Sequence, residues 1–229
     1  MDLNKTHITI VLDRSGSMGI IRDATIEAVN GYVASQQDEA GECLLTLVQF
    51  DDQYQTDCAS IPIQEFAPLT FDTYQPRGST ALLDAIGRTI LENGRQFAAM
   101  REEDRPGTVL FVIQTDGQEN ASREFDMTRI NDLIAEHRDK YSWQFVFLGA
   151  DQDAIASAGA MGIAAMSSLS YSHSASGQHA AFKAVAKNTT QFRQARSNAQ
   201  MDAAFEFDET DRQSSIDETD PPSSVDEQK

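Results

Sequence analysis

Short apolar runs rich in β-branched residues alternate along this chain with longer segments whose apolar positions recur at helical spacing. Residues 7–12, 44–50, 109–113 and 143–148 read as strands. The run 109–113 is apolar without alternation, as a central strand buried on both faces requires. Helices are expected over 21–36, where Ile21, Ala24, Ala28 and Tyr32 share a stripe, and over 81–100, with Leu82, Ile86 and Ile90. A third is expected over 125–138, with Ile130, Leu133, Ile134 and His137 inward. Asp51-Asp52-Gln53 turns the chain into a short strand at 54–60, a hairpin at a sheet edge. An Ala-rich helix at 153–160, a weak strand at 163–166 and a last helix at 178–195 follow. The pattern predicts an α/β fold: a doubly wound, mostly parallel central sheet with one antiparallel edge strand and helices on both faces.

Length and charge narrow this further. The 229 residues suit one domain, expected over 1–205, and a tail over 206–229. A formal charge of -18 argues against phosphate-backbone binding to nucleic acid and against an anionic membrane surface. No apolar run reaches the roughly 18 residues of a spanning helix, and Met1-Asp2-Leu3-Asn4-Lys5 has no signal-peptide pattern. Cys43 and Cys58 match no zinc spacing and read as free thiols of a reducing cytoplasm.

The tail repeats with a nine-residue period. Phe207-Asp208-Glu209-Thr210-Asp211-Arg212-Gln213-Ser214-Ser215 is echoed from Ile216, and a third copy starts at Val225. From 207 onward eight acidic and two basic residues account for about a third of the net charge. With so little apolar surface the tail is expected to be disordered.

The chemistry gathers at strand ends. Asp13-Arg14-Ser15-Gly16-Ser17 follows the first strand, Gly78-Ser79-Thr80 precedes a helix, and Asp116-Gly117 follows the strand at 109–113. Carboxylate and hydroxyl oxygens are the donors a hard divalent cation prefers. In open α/β sheets, ligand sites lie beyond the C-terminal strand ends.

These residues resemble the metal-ion-dependent adhesion site of von Willebrand factor type A domains, whose motif is Asp-x-Ser-x-Ser followed by a distant Thr and a distant Asp. Here those are Asp13, Ser15, Ser17, Thr80 and Asp116, and the resemblance covers about residues 5 to 200. It implies a Rossmann-like fold and a bound Mg2+ or Mn2+. It also implies Ser15, Ser17 and Thr80 as direct ligands, with Asp13 and Asp116 acting largely through water. The open coordination position would take an Asp or Glu side chain of a protein partner. Compact intracellular relatives, bacterial or phage, suggest a non-enzymatic module, alongside an ATPase-containing assembly in some cases.

Two other readings compete. A metal-dependent phosphoryl-transfer or hydrolytic enzyme of haloacid-dehalogenase type needs a second Asp two residues after Asp13, where Ser15 stands, and the segment around Ser17 is not a Gly-x-Ser-x-Gly elbow. Alternatively the acidic tail is a decoy, or mediates self-association by entering an adhesion site. Among other residues, Asp51 and Asp52 read as turn residues and Glu119 and Arg77 as solvated ones. Asp151 is placed on the same sheet edge as the site, and His137 reads as a core histidine. His7, His173 and His179 form no spacing pattern.

Overall fold

A computed structural model of the chain describes residues 1–150, 153–200 and 202–216. The strands are β1 (Asp2–Asp13), β2 (Glu42–Phe50), β3 (Tyr54–Pro62), β4 (Pro106–Thr115), β5 (Gln144–Gly149) and β6 (Ser168–Ser170). They form one sheet in the order β3-β2-β1-β4-β5-β6. All neighbours run parallel except the β2–β3 hairpin. The α/β architecture with one antiparallel edge strand is therefore present. The helices are α1 (Arg22–Gln37), α2 (Leu82–Ala99), α3 (Met127–Tyr141), α4 (Ala154–Ala160), α5 (Ala175–Ser197) and α6 (Glu209–Ile216).

Period-two alternation within β1 divides the core. Ile8, Ile10 and Leu12 pack with Val29, Tyr32 and Val33 of α1 and Ala181, Phe182 and Val185 of α5. Val11 joins Val109, Phe111 and Ile113 of β4 against Leu82, Ile86 and Ile90 of α2 and Ile130 and Ile134 of α3. The chain thus leaves β1 over one face and β4 over the other, and winding reverses between these two neighbouring strands. Their C-terminal ends frame a crevice where loops diverge, the topological switch point of an open α/β sheet.

Two expectations need correction. The last strand lies at Ser168–Ser170, not 163–166; Ile163 is buried against the α2–α3 layer, and Ala165–Ser167 forms a 3-10 turn. Helix α1 lies within one residue of the expected 21–36, and a 3-10 turn, Gly16–Ile21, leads into it. The expected disordered tail contains an ordered first repeat: Phe207 is buried with Phe205, and residues 209–216 form α6 against α5 and β6. The second and third copies lie outside the described residues.

The order of that first repeat has a local cause. Asp208 Oδ1 accepts from the Asp211 N–H at 2.8 Å while Asp211 Oδ2 accepts from the Asp208 N–H at 3.1 Å, a reciprocal box that starts the helix. Lys187 of α5 donates to both carboxylates, at 2.9 and 2.6 Å. Arg212 donates to the carbonyls of Ser168 and Ala165, tying α6 to the β6 edge. The acidic residues that suggest solvation are here hydrogen-bonded in place by a basic face on α5.

His7 sits in β1 between Thr9 Oγ1 and Thr46 Oγ1, each 3.2 Å from a ring nitrogen, with Phe97 edge-on. Burial holds its pKa down to about 3 from 6.5.

Two measurements test this packing. Phe207→Ala is expected to cost about 3 kcal/mol in urea unfolding; an unchanged midpoint would mean that Phe207 lies in a solvated tail. The depressed His7 pKa gives stability that is complete above 6.5 and lost as pH falls, because the unfolded chain takes up that proton first. The His7 share of the unfolding free energy is expected to drop by about 2 kcal/mol between neutrality and about pH 5, read as the difference between wild type and His7→Leu, because the raised pKa of Asp13, about 6, acts in the opposite direction over the same window.

Candidate metal centre

β1 and β4 deliver the two acids. Leu12 pairs with Gln114 across the strands, so Asp13 and Thr115 are the residues that follow on the two chains. Asp13 is fully buried: Oδ1 accepts from the Ser15 N–H at 2.6 Å and Oδ2 from Thr115 Oγ1 at 2.6 Å. Burial raises its pKa to about 6 against these hydrogen bonds, with the negative charge of Asp116 adding to the rise. Asp116 Oδ1 accepts from Ser17 Oγ at 2.7 Å, and Ser17 Oγ lies 3.2 Å from Ser15 Oγ. Burial also raises the Asp116 pKa, opposed by Ser17 and His173. Its second oxygen, Oδ2, is buried with no aligned hydrogen-bond donor, although His173 Nε2 approaches to 2.9 Å.

Thr80 completes the cluster from the second loop. A Cβ placed on Gly117 would lie 3.4 Å from Thr80 Oγ1 and 3.6 Å from Ser17 Oγ. The two hydroxyls therefore flank one backbone position, and the absent side chain keeps the space between them open. The structure brings together Asp13, Ser15, Ser17, Thr80 and Asp116, all five positions singled out in the sequence. Among the described residues, no group of three His, Cys, Asp or Glu side chains forms a metal-binding cluster. The candidate donors are two carboxylates and three hydroxyls, an all-oxygen set suited to a hard cation. Two adjacent buried carboxylates with raised pKa values are what a dication would relieve, so the residues fit the group.

The three loops are clasped to one another. Gly16 N donates to Gly78 O at 3.2 Å and Arg77 N to Arg14 O at 2.8 Å. Gly78 has φ +66, a left-handed backbone that favours glycine. Thr80 N donates to Asn120 Oδ1 at 3.0 Å, and the N–H groups of Asn120 and Ala121 return to Thr80 O. Tyr74 OH donates to Asp13 O at 2.6 Å beneath the site.

Several residues differ from the sequence reading. Asp51 is no simple turn residue. It is fully buried, its Oδ2 accepts from Arg14 Nε at 3.1 Å and Arg77 Nε at 2.8 Å, and its carbonyl takes the Ala81 N–H. Arg77 is accordingly paired rather than simply solvated. Glu119 accepts from Leu83 N at the start of α2 and from Ala121 N and Ser122 N, joining the second and third loops. His173, beside Asp116, carries no spacing signal and reaches the site only through the loop after β6. His137 is a core histidine, its Nδ1 2.8 Å from Leu133 O and its ring against Trp143. Asp151 lies outside the described residues.

No family model and no curated protein matches the chain by sequence. Solved structures do match. Proximal thread matrix protein 1 from the mussel byssus aligns with a TM-score of 0.56 at 17% identity, over 80% of this chain and 47% of that one. A von Willebrand factor type A structure from Catenulispora acidiphila aligns at 0.52 and 13% identity, over 81% and 43%. The fold is that of a von Willebrand factor type A domain. A pilus adhesin, SpaC from Lactobacillus rhamnosus GG, aligns at 0.59 and 12% identity, over 81% of this chain and 30% of the adhesin. The chain thus spans less than half of each neighbour's length. The byssus protein was also solved with what is described as a zinc-occupied MIDAS motif.

Proposed function

We propose that this chain is a metal-dependent protein-interaction module that captures an Asp or Glu side chain of a partner through Mg2+ or Mn2+. The observation that carries the reading is the cluster itself: three hydroxyls and two buried acids at the switch between β1 and β4. Ser15, Ser17 and Thr80 would hold the ion directly. Asp13 and Asp116 would orient those hydroxyls and hold water. A bound dication supplies Lewis acidity toward an incoming carboxylate. The zinc reported at the byssus protein's motif supports metal binding at this place in the fold.

The module binds without catalysing. Ser17, Asp116 and His173 form a chain in which the carboxylate, not the imidazole, faces the hydroxyl. That order does not provide the base that a nucleophilic serine needs. Two free cysteines are consistent with a cytoplasmic setting, and among the described residues no helix is long and apolar enough to cross a membrane.

Calorimetric titration tests the proposal. Mg2+ or Mn2+ is expected to bind the wild type, and Asp116→Asn to weaken binding about 10- to 100-fold. Ser17→Ala should do the same while the chain stays folded by circular dichroism. Absence of uptake by the wild type at millimolar metal overturns it.

A further inference from the structure

A second cleft opens at the other end of the sheet. α2 and α3 pack side by side on one face, and between them they leave a groove of about 510 Å3. Val109, near the start of β4, and Trp143, just before β5, form its floor, with Phe97 and Leu133 on the two helix walls. The metal centre sits beyond the far end of β4. Val109 and Asp116 are separated by about 23 Å of extended chain at 3.3 Å per residue, so the two sites are distinct.

The groove is lined by aromatic rings that are not fully sealed. The ring centroids of Phe97 and Trp143 lie 5.6 Å apart, and those of His137 and Trp143 4.5 Å. Phe97 and His137 each stay 7% exposed, whereas Leu133 and Ile134 beside them are at 1% and 0%. His137 supplies a polar handle. Its Nδ1 is 2.8 Å from Leu133 O, and a carbonyl only accepts, so the neutral ring carries its proton on Nδ1. Nε2 is left as an acceptor with no partner among the described residues. It faces Gly94 of α2, where a Cβ would stand 3.3 Å away and screen it. Glycine is unfavourable inside a helix, and here it keeps the groove open beside that nitrogen.

The rim reverses the charge of the molecule. Acidic residues outnumber basic ones 36 to 18 over the chain, yet Arg95, Arg105, Arg129 and Lys140 line the groove against Glu102 and Glu136. Lys140 is paired with Glu136 at 2.8 Å, and Arg105 donates to the carbonyls of Met100 and Ala98. Arg95 and Arg129 are exposed, one on each helix, and neither guanidinium has a hydrogen-bond or ion-pair partner among the described residues. Four basic side chains rule against an aromatic cage for a cation. Pockets of roughly 300–1,000 Å3 with apolar walls and a few placed polar groups take small molecules.

We propose that the α2–α3 groove is a second binding site, for a small aromatic anion. The ligand's ring lies against Phe97, His137 and Trp143, its acid group is drawn to Arg95 and Arg129, and a hydroxyl or N–H on it donates to His137 Nε2.

Trp143 is the chain's single tryptophan, so its fluorescence reports on the groove. The test titrates the full-length chain with anilinonaphthalene sulfonate, an aromatic anion that carries an N–H, and reads energy transfer from Trp143. Saturable transfer, weakened about tenfold or more by R95E/R129E and less than about twofold by R123E/K183E, supports the proposal. Both variants change the net charge equally, and only the first alters the groove. All four side chains are exposed, so both variants should fold as wild type by circular dichroism. Naphthoate should displace the probe and naphthylmethylammonium should not. Absence of saturable transfer, equal weakening by both variants, or displacement by the ammonium compound overturns the proposal.

Discussion

Two carboxylates buried side by side at the strand ends of a sheet are the constraint around which this domain is organised. Asp13 and Asp116 each suffer desolvation, and Asp116 adds like-charge repulsion at Asp13. Buried charges are tolerated only where hydrogen bonds or counter-charges compensate. Asp13 receives two short donors, and Asp116 has Ser17 on one oxygen and His173 beside the other. Two adjacent buried acids are what a cation between them would relieve. The pair lies at the junction of β1 and β4, the place the winding leaves open.

Rigidity around that junction comes from a third buried acid. Asp51 draws Arg14 from the first loop and Arg77 from the second onto one carboxylate, and its backbone takes the N–H of Ala81. A buried ion pair is weak evidence for net stability, because desolvation offsets much of the attraction. Its evident consequence is register: Arg14 and Arg77 flank the loops that present Ser15, Ser17 and Thr80. Glu119 does the same between α2 and the third loop. The hydroxyls are thus held by charges that never face them.

The C-terminal end of the fold follows similar logic. Phe205 and Phe207 close the apolar face beside Phe192. Lys187 and Asn188 convert Asp211 from a solvated acid into a buried bridge. A segment whose composition favours solvent becomes a helix because α5 offers complementary donors at the right spacing. Through Ser172 that helix ends on the loop that carries His173 to the site.

Local chemistry alone determined much of this protein. Strand and helix types followed from periodicities of two and 3.6, which marked the strand and helix ends at 13–17, 78–80 and 116–117, and the resemblance to the adhesion-site motif picked out Asp13, Ser15, Ser17, Thr80 and Asp116 among them. The capping pair Asp208 and Asp211 was also written at short range, but masked by the acidic composition around it. What the tertiary structure alone decided is every pairing between distant residues: Asp51 between two arginines, His173 against Asp116, Lys187 under α6, and β6 at 168–170 rather than 163–166. Those depend on which faces meet when β1 and β4 become neighbours. A linear pattern records which residues want burial or a partner, while the partner itself is chosen by packing in three dimensions.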